Sequence, residues 1–259
     1  MGGSIAVGSL DLGGGSAQIA IPRRGGEGGG PINSEDYFIH SYLGFGVNSM
    51  RERFWSSLGD KGGRNPCAFV GWEVEWEGRK LIGTGEADEC SRMLSELLGW
   101  GGEKMRRSID GEVFHPAIDV SGKHFYAMSL YFYALDCLRE ISEHPIMAGG
   151  NTKGEGGTVD FLRNWPRPTL AELSGALREF CALSWETINE RLDVKRVHTF
   201  TSRKGFPHRC LEGVYIVTLL RDGFGFESDG RSVSFLYDIE GSEVEWSIGA
   251  LLVDSQNKK

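Results

Sequence analysis

A run of three glycines near the start of the chain, Gly13–Gly15, constrains the local fold more than any other sequence feature. Apolar residues precede it, with Leu10 and Leu12 on either side of Asp11, and the apolar stretch 19–21 follows it. This pattern predicts two strands joined by a tight turn. Because glycine lacks a Cβ atom, such a turn is free to adopt positive φ and to bring backbone N–H groups close to an anion. The turn therefore fits either a plain hairpin or a phosphate-binding loop.

The polar side chains around the glycines leave the same two interpretations open. Asp11 stands where a carboxylate could hold a metal ion through water. Ser16 and Gln18 place a hydroxyl and an amide on one face of the second strand. Aspartate and serine are also ordinary turn residues of a plain hairpin. The local pattern alone does not choose between the two.

The composition is that of an ordinary globular protein. At 259 residues the chain is long enough for one large domain or two smaller ones. The formal net charge is −8 with acidic and basic residues interspersed, which argues against a nucleic-acid-binding surface. No apolar run reaches the length of a membrane span, and the N-terminus lacks the pattern of a signal peptide.

Periodicity predicts a mixed α/β chain with strands early and helices late. Glycine-rich stretches at 23–31 and 148–157 predict flexible insertions. Residues Glu73, Glu75 and Glu77 alternate with apolar residues and predict a solvated strand face. The other predicted elements are a strand at 37–42, helices at 47–58 and 88–98, a hairpin at 71–82, a buried helix at 125–141, a helix that opens at Thr169 with Glu172 as a capping box and is continued by Trp185 and Ile188, a helix at 211–220, a strand at 233–237, and a final helix or strand-to-helix segment at 244–252.

Six segments, in order, resemble the nucleoside triphosphate diphosphohydrolase (apyrase) family. The glycine turn resembles the second phosphate-loop motif of that family, and the later segments resemble its helix and closing motifs. The six are LDLGGGSAQI at 10–19, IHSYLGFGV at 39–47, GKHFYAMSLYFYALDCL at 122–138, the segment 169–185, the segment 213–225, and GSEVEWSIGAL at 241–251. Together they cover nearly the whole chain.

The resemblance implies a fold and an activity. The expected fold is α/β, a ribonuclease H-like lobe of the actin/hexokinase type, with residues 1–259 forming the C-terminal lobe of a two-lobed apyrase. The implied activity is hydrolysis of nucleoside tri- and diphosphates by divalent-metal-assisted in-line attack of water. The family's first phosphate loop, D-x-G-S-[ST], and the segment with its catalytic glutamate find no match in this sequence. We therefore expect this chain to need the N-terminal lobe of a longer parent and to be inactive alone.

Residue roles follow by position in the matching motifs. Asp11 would hold Ca²⁺ or Mg²⁺ through water, and Ser16 and Gln18 would align the attacking water. Gly13, Gly14, Gly15, Ser16 and Ala17 would bind phosphate, although Gly15 replaces the family's usual Ala and Ala17 its usual Thr.

The resemblance also assigns a base-binding side. Tyr133 matches the tyrosine that stacks on the nucleobase, and the alternative for Tyr133 is an ordinary core aromatic. Arg203 is the nearest candidate for a basic residue on the other side of the base. The alternative for Arg203 is a solvated surface arginine.

The five cysteines bear on the compartment. The resemblance implies disulfides between Cys67 and Cys90 and between Cys181 and Cys210, which leaves Cys137 as a free apolar thiol. Two disulfides imply the lumen of the secretory pathway or the cell exterior. Any membrane association would come through the parent chain, because this chain has no membrane segment in its sequence.

Two other functions compete with the apyrase interpretation. One is a non-catalytic nucleotide-binding or interaction module that uses the same half-site. The other is an exopolyphosphatase-type phosphatase, which shares a glycine-rich D-x-GGGS loop. The segment around Tyr133 and the closing motif around Trp246 favour the apyrases.

Overall fold

The computed structural model describes residues 7–23, 34–59, 62–100, 108–116, 118, 124–147, 157–239 and 242–243. The glycine-rich stretches predicted as insertions lie outside this set, apart from Arg23 and Gly157. The predicted final segment at 244–252 also lies outside the described residues, and with it all of the closing motif except residues 242–243.

The described residues form a mixed α/β chain that opens with three strands, alternates helices with strands, then runs through a series of helices and closes with three short strands. The strands are β1 (Val7–Leu12), β2 (Ser16–Pro22), β3 (Tyr37–Leu43), β4 (Arg64–Asn65), β5 (Glu73–Trp76), β6 (Arg79–Gly83), β7 (His124–Ser129), β8 (Val233–Phe235), β9 (Asp238–Ile239) and β10 (Ser242–Glu243). The helices are α1 (Val47–Ser57), α2 (Ala87–Leu98), α3 (Leu130–Glu143), α4 (Thr158–Asn164), α5 (Leu170–Cys181), α6 (Trp185–Arg191), α7 (Val194–Val197) and α8 (Arg209–Thr218), which runs on into a π-helical turn at Leu219–Gly223.

The central sheet has the order β3-β2-β1-β7-β8. Strands β1, β2 and β3 form an antiparallel meander, while β7 pairs parallel to β1 and β8 pairs parallel to β7. Alternate residues of β1 and β2 are buried: Leu10, Leu12, Ile19 and Ile21 are at most 1% exposed. Helix α3 packs on β1 and β7, and it also contacts α5 and α8. This apolar face forms the core, and the residues between these positions point to the opposite face.

A smaller sheet of order β4-β6-β5 lies in the segment between α1 and α2. A disulfide joins Cys67 to Cys90 in α2, and a second joins Cys181 at the end of α5 to Cys210 in α8. The structure therefore contains both implied disulfides, and Cys137 is free and buried. In the β5–β6 hairpin Glu73, Glu75 and Glu77 are exposed, as the alternating pattern predicts.

Two predictions about helices are wrong. The stretch 125–141 is not one buried helix: residues up to Ser129 form β7, and α3 begins at Leu130. A short apolar run in a buried central strand has the same sequence signature as a buried helix, so periodicity could not separate them. Trp185 and Ile188 do not continue α5, because Ser184 caps a new helix, α6.

The predicted capping box is confirmed at the start of α5. The Thr169 hydroxyl accepts a hydrogen bond from the Glu172 amide at 3.1 Å, and the Glu172 carboxylate accepts one from the Thr169 amide at 2.9 Å. A search of the described helices for one long and apolar enough to cross a membrane finds none.

Candidate active site

The loop Gly13–Gly15 connects β1 to β2 and is held by the segment that opens α1. The amides of Val47 and Asn48 donate to the carbonyls of Gly13 and Gly14 at 3.0 and 2.9 Å, and the Gly44 amide donates to the Gly15 carbonyl at 2.8 Å. The first free N–H groups of α1 are therefore satisfied by the loop. Each of the three glycine carbonyls therefore accepts a hydrogen bond from the segment 44–48.

The amides of the loop, unlike its carbonyls, are not all hydrogen-bonded to described residues. Within the part of the chain that the structure describes, the amides of Gly14 and Gly15 have no hydrogen-bond acceptor. Gly15 is exposed, and Gly14 is half-buried. Two adjacent N–H groups without an internal acceptor are suited to bind an anion from solvent.

Room for close approach of other atoms, rather than positive φ, explains the glycines at positions 14 and 46. None of Gly13, Gly14 and Gly15 has a positive φ, so that expected use of glycine is not seen. A Cβ atom on Gly46 would lie 2.3 Å from the Ser16 nitrogen, and one on Gly14 would lie 2.6 Å from Asn48 Nδ2. A Cβ atom on Gly15 would meet nothing within 4 Å. The loop and α1 are thus packed backbone to backbone at Gly46.

The polar residues predicted around the loop form one row across the sheet. Asp11 pairs with Gln18 in the β1–β2 ladder, and Gln18 pairs with Ser41 in the β2–β3 ladder. With the Gln18 amide oriented by its neighbours, its nitrogen donates to Asp11 Oδ2 at 3.2 Å and its oxygen accepts from Ser16 Oγ at 2.6 Å and Ser41 Oγ at 3.2 Å. Gln18 is therefore fixed between the carboxylate and two hydroxyls.

Burial changes the electrostatics of Asp11. Burial raises the pKa of the Asp11 carboxyl above its ordinary value, and hydrogen bonds from the Ser129 hydroxyl and the Leu12 amide offset this only in part. The Tyr131 hydroxyl is buried without a hydrogen-bond partner among the described residues. Burial raises its pKa well above the ordinary value, and the charge of Asp11 adds to this shift. A buried hydroxyl in that state is a place where an ordered water would be expected.

The donor set suits a cation held through water rather than by a protein cage. No cluster of three or more His, Cys, Asp or Glu side chains with metal-binding geometry occurs among the described residues. Magnesium keeps several waters and often uses only one or two carboxylates together with substrate phosphates. Asp11, a single carboxylate beside the glycine loop, fits that mode.

The side chain of Ala17 faces away from those of Ser16 and Gln18, the other predicted site residues of β2. It lies in β2 with its methyl group fully buried in the core, on the face opposite Ser16 and Gln18. Its side chain therefore cannot contribute to a phosphate site, and only its backbone could.

Tyr133 lies in an aromatic cluster rather than next to Arg203. Its ring centroid is 4.9 Å from that of Phe200 and 6.2 Å from that of Tyr237, and Phe132 completes the cluster. Phe200 is 39% exposed and Tyr133 is half-buried, so the cluster has an open side. The Arg203 guanidinium instead donates to the Leu192 carbonyl at 3.0 Å and to the Asn189 side chain. Among the contacts of the described residues, none joins Arg203 to Tyr133.

A buried polar network supports the turn that carries Phe200. His198 contacts Asp136 Oδ2 through Nε2 at 3.2 Å and Thr201 Oγ1 through Nδ1 at 2.6 Å, so both ends of the turn are tied. Arg209 donates to Thr201 at 2.9 Å. Burial alone would raise the pKa of Asp136, but hydrogen bonds from His198 and Arg139 lower it below its ordinary value.

Comparison with known proteins decides the family. The model of the GDA1/CD39 (nucleoside phosphatase) family matches residues 3–259. The chain belongs to this family. The glycine loop thus lies in a nucleoside phosphatase family member, and the family is the one that the resemblance in the sequence indicated.

Relatives of this nucleoside phosphatase family member are distant and longer. Ectonucleoside triphosphate diphosphohydrolase 7 of Pongo abelii is 25% identical over 95% of this chain and 44% of its own length. A nucleoside-triphosphatase of Caenorhabditis elegans is 23% identical over 98% of this chain and 46% of its own length. The chain spans less than half the length of these curated relatives.

A solved structure supports the fold. The crystal structure of nucleoside triphosphate hydrolases from Neospora caninum matches 96% of this chain and 57% of its own, with a TM-score of 0.56 and 14% identity. The expected actin/hexokinase-type lobe is consistent with this neighbour.

Sequence reasoning missed three features of the site. Phe200 and Tyr237 stand in irregular segments or at a strand end, so no periodic pattern marked them as partners of Tyr133. Ser129 was hidden inside the stretch predicted as one helix. A strand-to-helix junction at that point would have been needed to single it out.

Proposed function

We propose that this chain supplies the second phosphate loop and the base-binding side of an enzyme that hydrolyses nucleoside tri- and diphosphates. The observation that carries the proposal is the orientation of the glycine loop. Its carbonyls accept hydrogen bonds from the start of α1 and from the Gly44 amide, and the amides of Gly14 and Gly15 are left as donors. Backbone donors of this kind stabilise transferring phosphoryl groups.

The other loop residues take roles that fit their positions. Ser16 and Gln18, joined by a hydrogen bond of 2.6 Å, orient the attacking water. Asp11, fixed by Gln18, would hold Ca²⁺ or Mg²⁺ through water. When bound, the cation offsets the negative charge of the phosphates. Positioning and charge stabilisation account for most of the catalysis in phosphoryl transfer.

The nucleobase stacks on the aromatic cluster. Tyr133 and Phe200 present an open aromatic surface, and stacking supplies affinity with little discrimination between bases. Phe200 is a better candidate than Arg203 for the second base-binding residue, because Arg203 is bound to Leu192 and Asn189.

The catalytic glutamate and the facing phosphate loop come from a second half. The chain covers only 44% and 46% of two of its curated relatives. The two disulfides support a secretory or extracellular compartment for the whole protein. We expect the 259-residue chain alone to bind nucleotide weakly and to release little phosphate.

The test combines hydrolysis with binding. Phosphate release from ATP and ADP is measured with Ca²⁺ and with Mg²⁺, and ADP binding is measured by calorimetry, for the wild type, Asp11→Asn and the surface control Asp229→Asn. We expect weak, cation-dependent ADP binding that Asp11→Asn removes and Asp229→Asn keeps. Robust turnover by the chain alone, lost in Asp11→Asn, would show that the chain is a complete enzyme. Binding unaffected by Asp11→Asn would reject the loop assignment.

A second candidate, the non-catalytic nucleotide-binding module, predicts the same binding. The two differ when the N-terminal half of a relative is added to the chain. Turnover that appears on addition, and that requires Asp11 and Gln18, supports the enzyme. Unchanged binding without turnover supports the module.

A further inference from the structure

The side chain of Asn48, in the first turn of α1, lies directly against the glycine loop. Its backbone amide donates to the Gly14 carbonyl at 2.9 Å. Its side-chain nitrogen Nδ2 fills the space that a side chain at position 14 would need, because a Cβ atom on Gly14 would lie 2.6 Å from it. Glycine at this position therefore lets the Asn48 amide group approach the loop.

Arg51, one turn further along α1, determines which end of the Asn48 amide faces the loop. The Arg51 guanidinium donates to Asn48 Oδ1 at 3.0 Å. A guanidinium has donors only, so it binds the oxygen end of the amide and leaves the nitrogen end, with its two N–H groups, next to Gly14. The same guanidinium lies 5.7 Å from the centroid of the Trp55 ring. The orientation of the amide is therefore fixed by residues of its own helix.

The Asn48 side chain and the Gly14 backbone both present donors that have no acceptor. Among the described residues, neither Asn48 Nδ2 nor the Gly14 nitrogen donates to any group, and Asn48 is exposed. A Cβ atom stands about 2.5 Å from its own backbone nitrogen, so the two donor nitrogens are at most about 5 Å apart. One oxygen at about 2.9 Å from each nitrogen can therefore accept from both.

We propose that Asn48 is a further phosphate-binding residue, whose side-chain amide donates to the same phosphate oxygen as the backbone amide of Gly14. Arg51 is the positioning residue that keeps the amide nitrogen turned towards the loop. This inference rests on the proposed function of the loop. The positive charge of Arg51 behind the amide also favours an anion at this point. The start of α1 does not provide the site by its backbone, because its first amides are bound to the loop carbonyls.

Two substitutions at position 48 test the donor. Asn48→Asp keeps the shape and the partner of Arg51 but replaces both N–H groups by an acceptor, and a carboxylate in the first turn of a helix is favourable for stability. We expect Asn48→Ala to bind pyrophosphate and ADP, each with Mg²⁺, about tenfold more weakly than the wild type, and Asn48→Asp to bind them more weakly still. Calorimetry measures both ligands.

The chain offers a matched control on another helix. Asn189, in α6, is also an exposed asparagine whose Oδ1 accepts from an arginine, Arg203. We expect Asn189→Asp to keep the affinity of the wild type for both ligands. Affinity in Asn48→Asp equal to that of the wild type would overturn the role of Asn48.

A second readout observes the amide itself. The Nδ2 proton resonances of Asn48 are identified by their loss in Asn48→Asp, and pyrophosphate, which has no base, reports on the loop alone. We expect these resonances to move when pyrophosphate and Mg²⁺ are added, and to move less in Arg51→Met, where the amide is free to rotate. Resonances that stay in place while pyrophosphate binds would overturn the inference.

The same resonances separate this inference from the proposed function. If they move, but the chain releases no phosphate from ADP after the N-terminal half of a relative is added, the Asn48 site stands and the hydrolase function is rejected. If turnover appears on that addition and the resonances do not move, the hydrolase function stands and the role of Asn48 is rejected.

Discussion

The carboxyl group of Asp11, in the loop region, and that of Asp136, in a buried network, have different partners and opposite pKa shifts. Asp136 has His198 and Arg139 as partners, and its pKa is lowered. Asp11 has only neutral partners, and burial raises its pKa. The Tyr131 hydroxyl and the loop amides near Asp11 also lack partners among the described residues. The network around Asp136, whose polar groups are paired, stabilises the fold. The region around Asp11 instead leaves hydrogen-bond donors and a carboxylate available to a ligand.

Replacing each carboxylate by an amide tests whether the two regions differ. This replacement should give the largest change in the free energy of unfolding. Asp136→Asn leaves His198 and Arg139 without their buried anion, and we expect a loss of about 3 kcal/mol in the free energy of unfolding. Asp11→Asn removes a desolvated charge without a cationic partner, so its stability at pH 7 should equal or exceed that of the wild type. Denaturant unfolding of both variants provides the measurement. An equal loss in both would show that the two regions do not differ.

Lowering the pH should give the next largest effect on stability, through the half-buried side chain of His208. His208 packs against Trp55 and Trp72, and burial, together with the charges of Arg51 and Arg209, lowers its pKa to about 4. The unfolded chain takes up this proton near pH 6.5 and the folded chain only near pH 4, so stability must fall as the pH drops through that window. The shift corresponds to at most about 3 kcal/mol.

The variant His208→Gln isolates this contribution. It should flatten the dependence of the unfolding free energy on pH between 6.5 and 4. If the slope of the wild type is retained in this variant, the acid sensitivity comes from other groups.

Glycine substitutions test how the loop is held. Gly46→Ala places a methyl group 2.3 Å from the Ser16 nitrogen, so the loop or α1 must shift, and we expect a cost of about 1–3 kcal/mol with weaker ADP binding. Gly15→Ala adds a methyl group where nothing lies within 4 Å and should change stability little. Thermal unfolding and calorimetry of the pair give the measurement. Comparable losses in both variants would mean that the loop, not its contact with α1, is the sensitive part.

Much of the hairpin that carries the glycine loop, and the start of α5, could be predicted from the sequence, because local signals control both. The glycine run, the alternation around Asp11 and the capping box of Thr169 and Glu172 each act within a few residues. Those signals correctly gave the β1–β2 hairpin and the start of α5. The family was inferred from the order of six motifs along the chain, because the residues around the loop alone did not identify it.

The aromatic side depended on long-range packing and was harder to predict. Phe200 meets Tyr133 because the buried network of His198 and Asp136 fixes its turn, and neither contact has a sequence period. The boundary at Ser129 was missed because both β7 and α3 are apolar, so the change from strand to helix left no change in composition. The interpretation of Arg203 as a base-binding residue rested on nearness in sequence alone.

The smallest effect concerns two tyrosines that are both fully buried. The Tyr215 hydroxyl donates to the Phe45 carbonyl at 2.7 Å, whereas the Tyr131 hydroxyl has no partner among the described residues. Tyr215→Phe leaves a buried carbonyl without that donor and should cost about 1–2 kcal/mol. Tyr131→Phe removes a group that no described residue satisfies, so stability should stay the same or rise by up to about 1 kcal/mol. A loss in Tyr131→Phe as large as in Tyr215→Phe would mean that an ordered water bonds to the Tyr131 hydroxyl, which would then be hydrated rather than unsatisfied.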